Sequence, residues 1–384
     1  MPGQGLYARP YGEVRDLLLE RLAARRNPMD HAPAADVRPI LDRLGTLERE
    51  QWAKAFCSAA EPHRQAGLAA EARGDHKAAR AEYLAAFGLF RIARYPAPNS
   101  PAKRAAYRHS QDAYYKAAVL AEPAVRRVEM PYAGALAPGA TIVAYLHRPQ
   151  CEGRLPLIVQ WGGIDSFKED RRPEPYLAAG FAVLAIDMPG VGDAPIPGGE
   201  RAEELWNGVF DWICRQGDLD ARRVGVVGAS TGGYWATKLA HTHRDRIAAA
   251  VSHGGPAHYA FQPAWIARAA HGEYPFELAE TLASSFGLST QEEWIDYAPR
   301  LSLLDQGILE RPCAPLLCVN GLDDSVFPIE DMYLLLQHGD AKCARFFAGG
   351  HMGQSPALLP TILDWLVRQL SPRLEASHEQ RSGG

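Results

Sequence analysis

The sequence predicts a mixed α/β protein: a mostly parallel sheet of eight strands with helices on both faces, a block of helices before it and a helical insertion late in the chain. Three observations carry this. From Pro123 onward, eight short β-rich runs appear: "VRRVEMPY", "ATIVAYLHR", "LPLIVQWGG", "FAVLAIDMPG", "RRVGVVGAS", "RIAAAVSHGG", "APLLCVNG" and "KCARFFAGG". Helical segments separate most of the later runs, and the runs are continuously apolar rather than alternating, the pattern of strands covered on both faces. Before Pro123, apolar residues recur three and four apart, as in "EVRDLLLERLAARR", which is helical spacing.

Each element follows from a local signal. In the first 122 residues, Gly74-Asp75 breaks two alanine-rich helices, and "YPAPNSPAKR" breaks the chain again before a helix that runs to Leu120. One helical hairpin of this kind resembles a single repeat unit, but an array needs several stacked copies, so residues 1–122 are expected to form a small helical cap. The first two β runs have no helix between them, which predicts an antiparallel start. Later helices are expected near 169–179, 201–217, 232–243, 329–338 and 356–370. Residues 123–255 and 313–372 form the predicted core. Residues 256–312 are an aromatic helical insertion over the C-terminal edge of the sheet. The polar residues 373–384 read as a flexible tail.

Bulk properties narrow the function. The chain has 384 residues, 47% hydrophobic, with a formal net charge of −4. That balance argues against a nucleic-acid partner. No apolar run approaches the roughly 18 residues of a membrane span, and the N-terminus lacks the layout of a signal peptide. The six cysteines are scattered with no CxxC pair. They read as reduced thiols, several of them buried, in a cytoplasmic protein with no metal and no cofactor.

The chemistry concentrates at "VGVVGASTGGYWATKLA". Gly228-Ala229-Ser230-Thr231-Gly232 is a G-x-S-x-G pattern between a strand and a helix. Small neighbours there let strand and helix pass closely while the serine hydroxyl stays exposed. A serine needs a base, and a base needs a carboxylate to orient it. "NGLDDSVFP" ends a later strand with Asp323 and Asp324, and "AGGHMG" ends the next with His351. The layout of the loop favours Asp324, with Asp323 as competitor. Acyl chemistry also needs oxyanion donors: the Thr231 amide at the helix start, and the Gly163 or Ile164 amide after the third strand. Asp165 is expected to face the substrate or to cap a helix near Lys168. Trp206, Tyr234, Trp235, Tyr259, Phe261, Trp265, Trp294 and Tyr297 flank the strand ends or lie in the insertion, so some are expected to shape an aromatic, hydrophobic pocket. Trp235 and Tyr259 are expected to contact the substrate. His253 is read as a loop or substrate-shaping residue, as is His258. Neither has partners at metal-ligand spacing.

The loop "WGGIDSFKED", the segments "IDMPGVGDAP", "GASTGGYWA", "SHGGPAHY", "NGLDDSVFP" and "GGHMG", and the helical preface "GLAAEARGDHKAARAEYLAAFGLFRIARYP" together resemble one branch of the α/β-hydrolases. That branch holds 2,6-dihydroxypseudooxynicotine hydrolase, fungal polyketide-shortening hydrolases and FrsA-like esterases. The resemblance covers most of the chain. It implies a Ser230–His351–Asp324 triad beneath a helical lid, often in a homodimer. It implies cleavage of a carbon–carbon bond beside a ketone in a polyketide-like small molecule, or alternatively hydrolysis of an ester, thioester or lactone, or acyl transfer. In the carbon–carbon hydrolases a loop glutamate assists, and this chain has the shorter Asp165 there. A reading of another class is a partner-binding protein with a decayed hydrolase core.

Overall fold

The computed structural model describes residues 9–371; the tail expected at 373–384 lies outside the described residues. The N-terminal block is helical: α1 (Tyr11–Ala23), α2 (Ala34–Leu44), α3 (Arg49–Ala72), α4 (His76–Arg94) and α5 (Pro101–Val119). The expected breaks have local causes. Gly74 adopts a positive φ of 75°, and the Asp75 carboxylate then accepts the Ala78 N–H at 3.0 Å to start α4. Ser100 caps α5 in the same way, accepting the Lys103 N–H at 3.3 Å, with Pro101 in the first turn.

The sheet comprises β1 (Arg126–Pro131), β2 (Thr141–His147), β3 (Leu155–Trp161), β4 (Ala182–Ile186), β5 (Leu219–Ala229), β6 (Ala249–His253), β7 (Leu316–Gly321) and β8 (Cys343–Phe347). Its spatial order is β1-β2-β4-β3-β5-β6-β7-β8. β2 pairs antiparallel with both β1 and β4, and all other pairs are parallel. The eight strands and the antiparallel start are those the sequence predicts. Interleaved with them are α6 (Glu174–Ala178), α7 (Leu205–Cys214), α8 (Thr231–Thr242), α9 (Pro263–Ala269), α10 (Leu278–Ser285), α11 (Gln291–Tyr297), α12 (Ile329–Gln337) and α13 (Leu358–Leu370). The helix expected over 169–179 is shorter. Lys168–Asp170 forms one tight turn and α6 begins only at Glu174, because Pro173 disfavours helical backbone at the residue before it.

Both faces of the sheet are covered, as the unalternating strands require. Leu157, Val159 and Val226 point into one core with Trp161, Trp206 and Trp235. Their neighbours Ile158 and Val227 point into the other, against Ile362, Trp365 and Leu366 of α13. The helical block has its own core, which Tyr145 of β2 and Ala185 of β4 join.

A buried ionic junction ties α4 to the loop after β3. Asp170 takes Arg91 Nε and Arg94 through a terminal guanidinium nitrogen, each at 2.6 Å. Arg94 also donates to the Asp165 carbonyl at 3.0 Å and lies 3.6 Å over the Phe167 ring. Next to it, buried Lys168 Nζ meets Asp187 at 2.9 Å and Asp193 at 2.6 Å. The charged residues of "SFKED" are thus fasteners between the sheet, its loops and the helical block. The cysteines are all free, but only Cys318 is buried, fewer than expected. No described helix is long and apolar enough to cross a membrane.

Candidate active site

Parallel neighbours in a sheet end on the same rim, where ligands of α/β proteins gather. β3, β5, β7 and β8 deliver Gly162-Gly163, Ser230, Asp324 and His351 to that rim. At the end of β5 the chain turns into α8 through Ser230, whose φ of 56° and ψ of −133° are strained for a residue with a side chain. The turn closes only because its neighbours are small. A Cβ on Gly228 would strike the Gly232 carbonyl, and one on Gly232 would strike the Gly162 carbonyl. The glycines of G-x-S-x-G are therefore a steric requirement of the elbow.

Three side chains far apart in sequence meet here. Ser230 Oγ lies 2.8 Å from His351 Nε2, and His351 Nδ1 lies 2.8 Å from Asp324 Oδ2. A carboxylate only accepts, so Nδ1 carries the proton and Nε2 is left to accept from the serine hydroxyl. Asp324 is itself held: Oδ1 accepts the Val326 and Phe327 amides at 2.7 and 2.9 Å, and Oδ2 accepts Asn320 Nδ2 at 2.9 Å. Asp323 is exposed, and the histidine contact goes to its neighbour.

The electrostatics match the geometry. Burial opposes a charged His351, but the Asp324 carboxylate outweighs it by charge and hydrogen bond, raising the imidazole above its ordinary 6.5. Burial likewise opposes the Asp324 charge, and His351 with the amide donors overcomes it and lowers that pKa. His253 is the contrast. Burial pushes it down to about 4, and Nε2 hydrogen-bonds the Met352 carbonyl at 2.7 Å, so it is a neutral donor that holds the residue after His351.

Gly163 approaches the serine closely: a Cβ there would stand 3.0 Å from Ser230 Oγ. Gly163 lines the cavity, whereas Ile164 is packed in the core. Thr231 begins α8, where backbone N–H groups lack helical partners. Asp165 also lines the cavity, and its Oδ2 accepts Asn27 Nδ2 at 3.0 Å.

The cavity over Ser230 holds about 680 Å³. Neither Trp235 nor Tyr259 lines it. Trp235 is fully buried, packed on Trp206 at 5.7 Å and on Tyr234 at 4.8 Å between ring centroids. Tyr259 is exposed elsewhere and stacks edge-on against His258. The α8 face carrying Trp235 turns into the core, which a helix pattern alone does not distinguish from a rim. Part of the cavity wall is instead basic. Arg21, Arg25 and Arg26 come from the end of α1, Arg91 from α4, and Arg171 and Arg172 from the loop after β3. Aliphatic residues such as Val326, Leu358 and Leu359 line another part. Sequence reasoning missed these arginines. The pairs in "ARRNP" and "DRRPE" were visible, but nothing local marks them as facing a serine some 60 to 200 residues away. It also missed Glu273, whose carboxylate accepts the His351 amide at 2.6 Å. No group of three or more His, Cys, Asp or Glu side chains among the described residues is arranged to hold a metal.

Residues 39–370 match the family described as Esterase FrsA-like. The chain belongs to this family. Among curated relatives, this FrsA-like chain is 27% identical to esterase FrsA of Escherichia coli K12, over 78% of this chain and 72% of that one. It is 29% identical to 20-hydroxy-prefusarin hydrolase FUS2 of Gibberella moniliformis, over 60% of this chain and 58% of the relative. The FrsA-like chain spans about half the length of the fungal relatives it matches, 51–58%. Among solved structures, 2,6-dihydroxy-pseudo-oxynicotine hydrolase superposes with a TM-score of 0.73 at 22% identity, covering 89% of this chain and 94% of that one. The fold is that of an α/β-hydrolase.

Proposed function

We propose that the chain hydrolyses carboxylic esters through an acyl-enzyme on Ser230. The observation that carries this reading is the continuous contact Ser230–His351–Asp324, 2.8 Å at each step, at the floor of a cavity large enough for a small molecule. His351 Nε2 takes the hydroxyl proton as Oγ attacks the carbonyl carbon, and Asp324 stabilises the imidazolium. The Thr231 and Gly163 amides hold the oxyanion. Collapse breaks the ester C–O bond, and His351 returns its proton to the leaving alcohol. Water, deprotonated by the same histidine, then releases the acid. Loss of one oxyanion donor costs about 3 kcal/mol of barrier.

Cleavage beside a ketone is the second reading. It is favoured by Asp165, which lines the same cavity as Ser230. There the tetrahedral adduct would expel a stabilised carbanion, protonated from His351, and leave the same acyl-serine. It stands second because the aromatic side chains that pointed to a polyketide-like substrate pack in the core or lie away from the cavity.

The test pairs a serine-directed fluorophosphonate with product analysis on an aryl ester and a β-diketone of matched size. The expected result is labelling at Ser230 and ester hydrolysis well ahead of diketone cleavage. Absence of labelling overturns both readings. Faster diketone cleavage, lost in Asp165→Ala while ester hydrolysis persists, reverses their order.

A further inference from the structure

We infer that the substrate carries an anionic group, a carboxylate or a phosphate, which Arg21, Arg25 and Arg171 receive while its carbonyl lies at Ser230. The inference rests on the serine-hydrolase reading for the position of the carbonyl. It rests on the charge of the cavity for the anion.

The chain as a whole is acidic, at −4, yet six arginines face this cavity against three aspartates. Two of those aspartates are already paired with arginines. Asp30 pairs with Arg91 and, at 3.2 Å, with Arg172. Asp170 is shared by Arg91 and Arg94. Asp165 accepts the neutral Asn27 amide, so its charge offsets part of the arginine excess. Arg26 reaches Glu273 at 3.6 Å. That leaves three guanidinium groups with no carboxylate within 4 Å among the described residues. Arg21 donates to the Asn27 and Glu273 carbonyls, each at 2.8 Å. Arg25 donates to the Asp30 carbonyl at 3.0 Å. Arg171 donates to the Phe167 carbonyl at 3.3 Å and to the Ser166 hydroxyl. Neutral acceptors fix the orientation of these groups without cancelling their charge.

Position joins the surplus charge to the chemistry. A terminal nitrogen of Arg171 lies 2.8 Å from where a Cβ on Gly162 would stand, and the next residue, Gly163, abuts Ser230 Oγ. Arg171 therefore flanks the dipeptide that borders the serine, and Arg21 and Arg25 approach the same cavity from the end of α1. Guanidinium is the group suited to bidentate capture of a carboxylate or phosphate. In a half-enclosed space such charge is only partly screened. The aliphatic wall of Val326, Leu358 and Leu359 suits the apolar body between anion and carbonyl.

The experiment measures binding apart from turnover. Ser230→Ala protein is titrated calorimetrically with benzyl hydrogen glutarate, benzyl 4-phosphonobutyrate and the neutral benzyl methyl glutarate. One or both anions should bind about tenfold or more tightly than the neutral diester. The advantage should shrink as NaCl rises from about 50 to about 500 mM. The tighter of the two anions identifies carboxylate or phosphate. Adding Arg171→Gln should cut the advantage by about tenfold. Arg25→Gln, at an exposed position, should cut it by a smaller factor and covers the case in which the Arg171 variant fails to fold. Equal binding of neutral and anionic probes, or an advantage that neither arginine substitution lowers, overturns the inference. Consumption of the esters by Ser230→Ala protein would instead overturn the role of Ser230, and the binding comparison would still decide the anion.

Discussion

Two sets of arginines meet where the helical block faces the sheet, and they are connected in opposite ways. Arg91 and Arg94 close on Asp170, both sides buried, at 2.6 Å each. Among the described residues, Arg21, Arg25 and Arg171 donate only to carbonyls and a hydroxyl around the cavity. Charges in the first set are balanced from within, so they fasten, even though Arg91 and Asp170 also border the cavity. Charges in the second set are left over, so they can act on something that arrives. Pairing separates structural from functional charge here, since residue type is the same in both places. The comparison predicts a division of effects: changes on the cavity side should alter turnover and spare stability, and changes at the junction should do the reverse.

The largest effect expected is on the cavity side. Ser230→Ala should lower kcat by about 10⁶-fold, with the thermal midpoint nearly unchanged, measured by ester turnover beside calorimetry. A large loss of stability instead would make Ser230 a structural turn. Asp324→Asn should lower kcat by about 10⁴-fold, because the amide holds the wrong tautomer of His351. Asp323→Asn should change stability by less than about 0.5 kcal/mol and leave turnover near wild type; the reverse ranking would reassign the acid.

On the junction side, Asp170→Asn should cost about 3–5 kcal/mol in urea denaturation, since it leaves Arg94 buried with no carboxylate partner among the described residues and Arg91 with Asp30 alone. The folded fraction should keep its affinity for substrate. A rise in KM with no loss of stability would place the junction on the cavity side of the comparison.

The smallest effect is a shift along the pH axis. The proposed hydrolysis needs neutral His351, whose pKa is raised above 6.5 by Asp324. kcat/KM should therefore climb with pH through a midpoint above 6.5. Stability runs the other way: a raised pKa means the fold favours the protonated ring. That contribution is fully present below 6.5 and is lost as pH rises through the folded value. In Asp324→Asn protein the residual activity should rise at lower pH than in wild type. A midpoint unmoved by the substitution would mean that Asp324 does not set the charge on His351.

Much of this was legible in the text of the chain, and the residues show why. The strands announced themselves because a parallel sheet needs runs such as "LIVQW" and "VGVVG" to be apolar on both faces. Ser230 was legible because the elbow cannot close without glycine on both sides. Asp324 and His351 were legible because strand ends fall where apolar runs stop, and the order of the three followed the chain. Trp235 and Tyr259 were misplaced because an aromatic near a strand end can face rim, core or solvent, and helix phase alone does not say which. Arg21 and Arg171 were passed over because each looks like an ordinary surface residue until α1 and the loop after β3 are laid across the same cavity.

The sequence by itself determined the eight-stranded α/β layout, the strained serine turn and the set of residues able to form a relay, because these depend on periodicity, small residues and chain order. Only the tertiary structure decided which of two adjacent aspartates meets His351, which aromatics are core, and which arginines stay unpaired. Those are matters of distance between segments remote in sequence, and no local pattern encodes a distance of that kind.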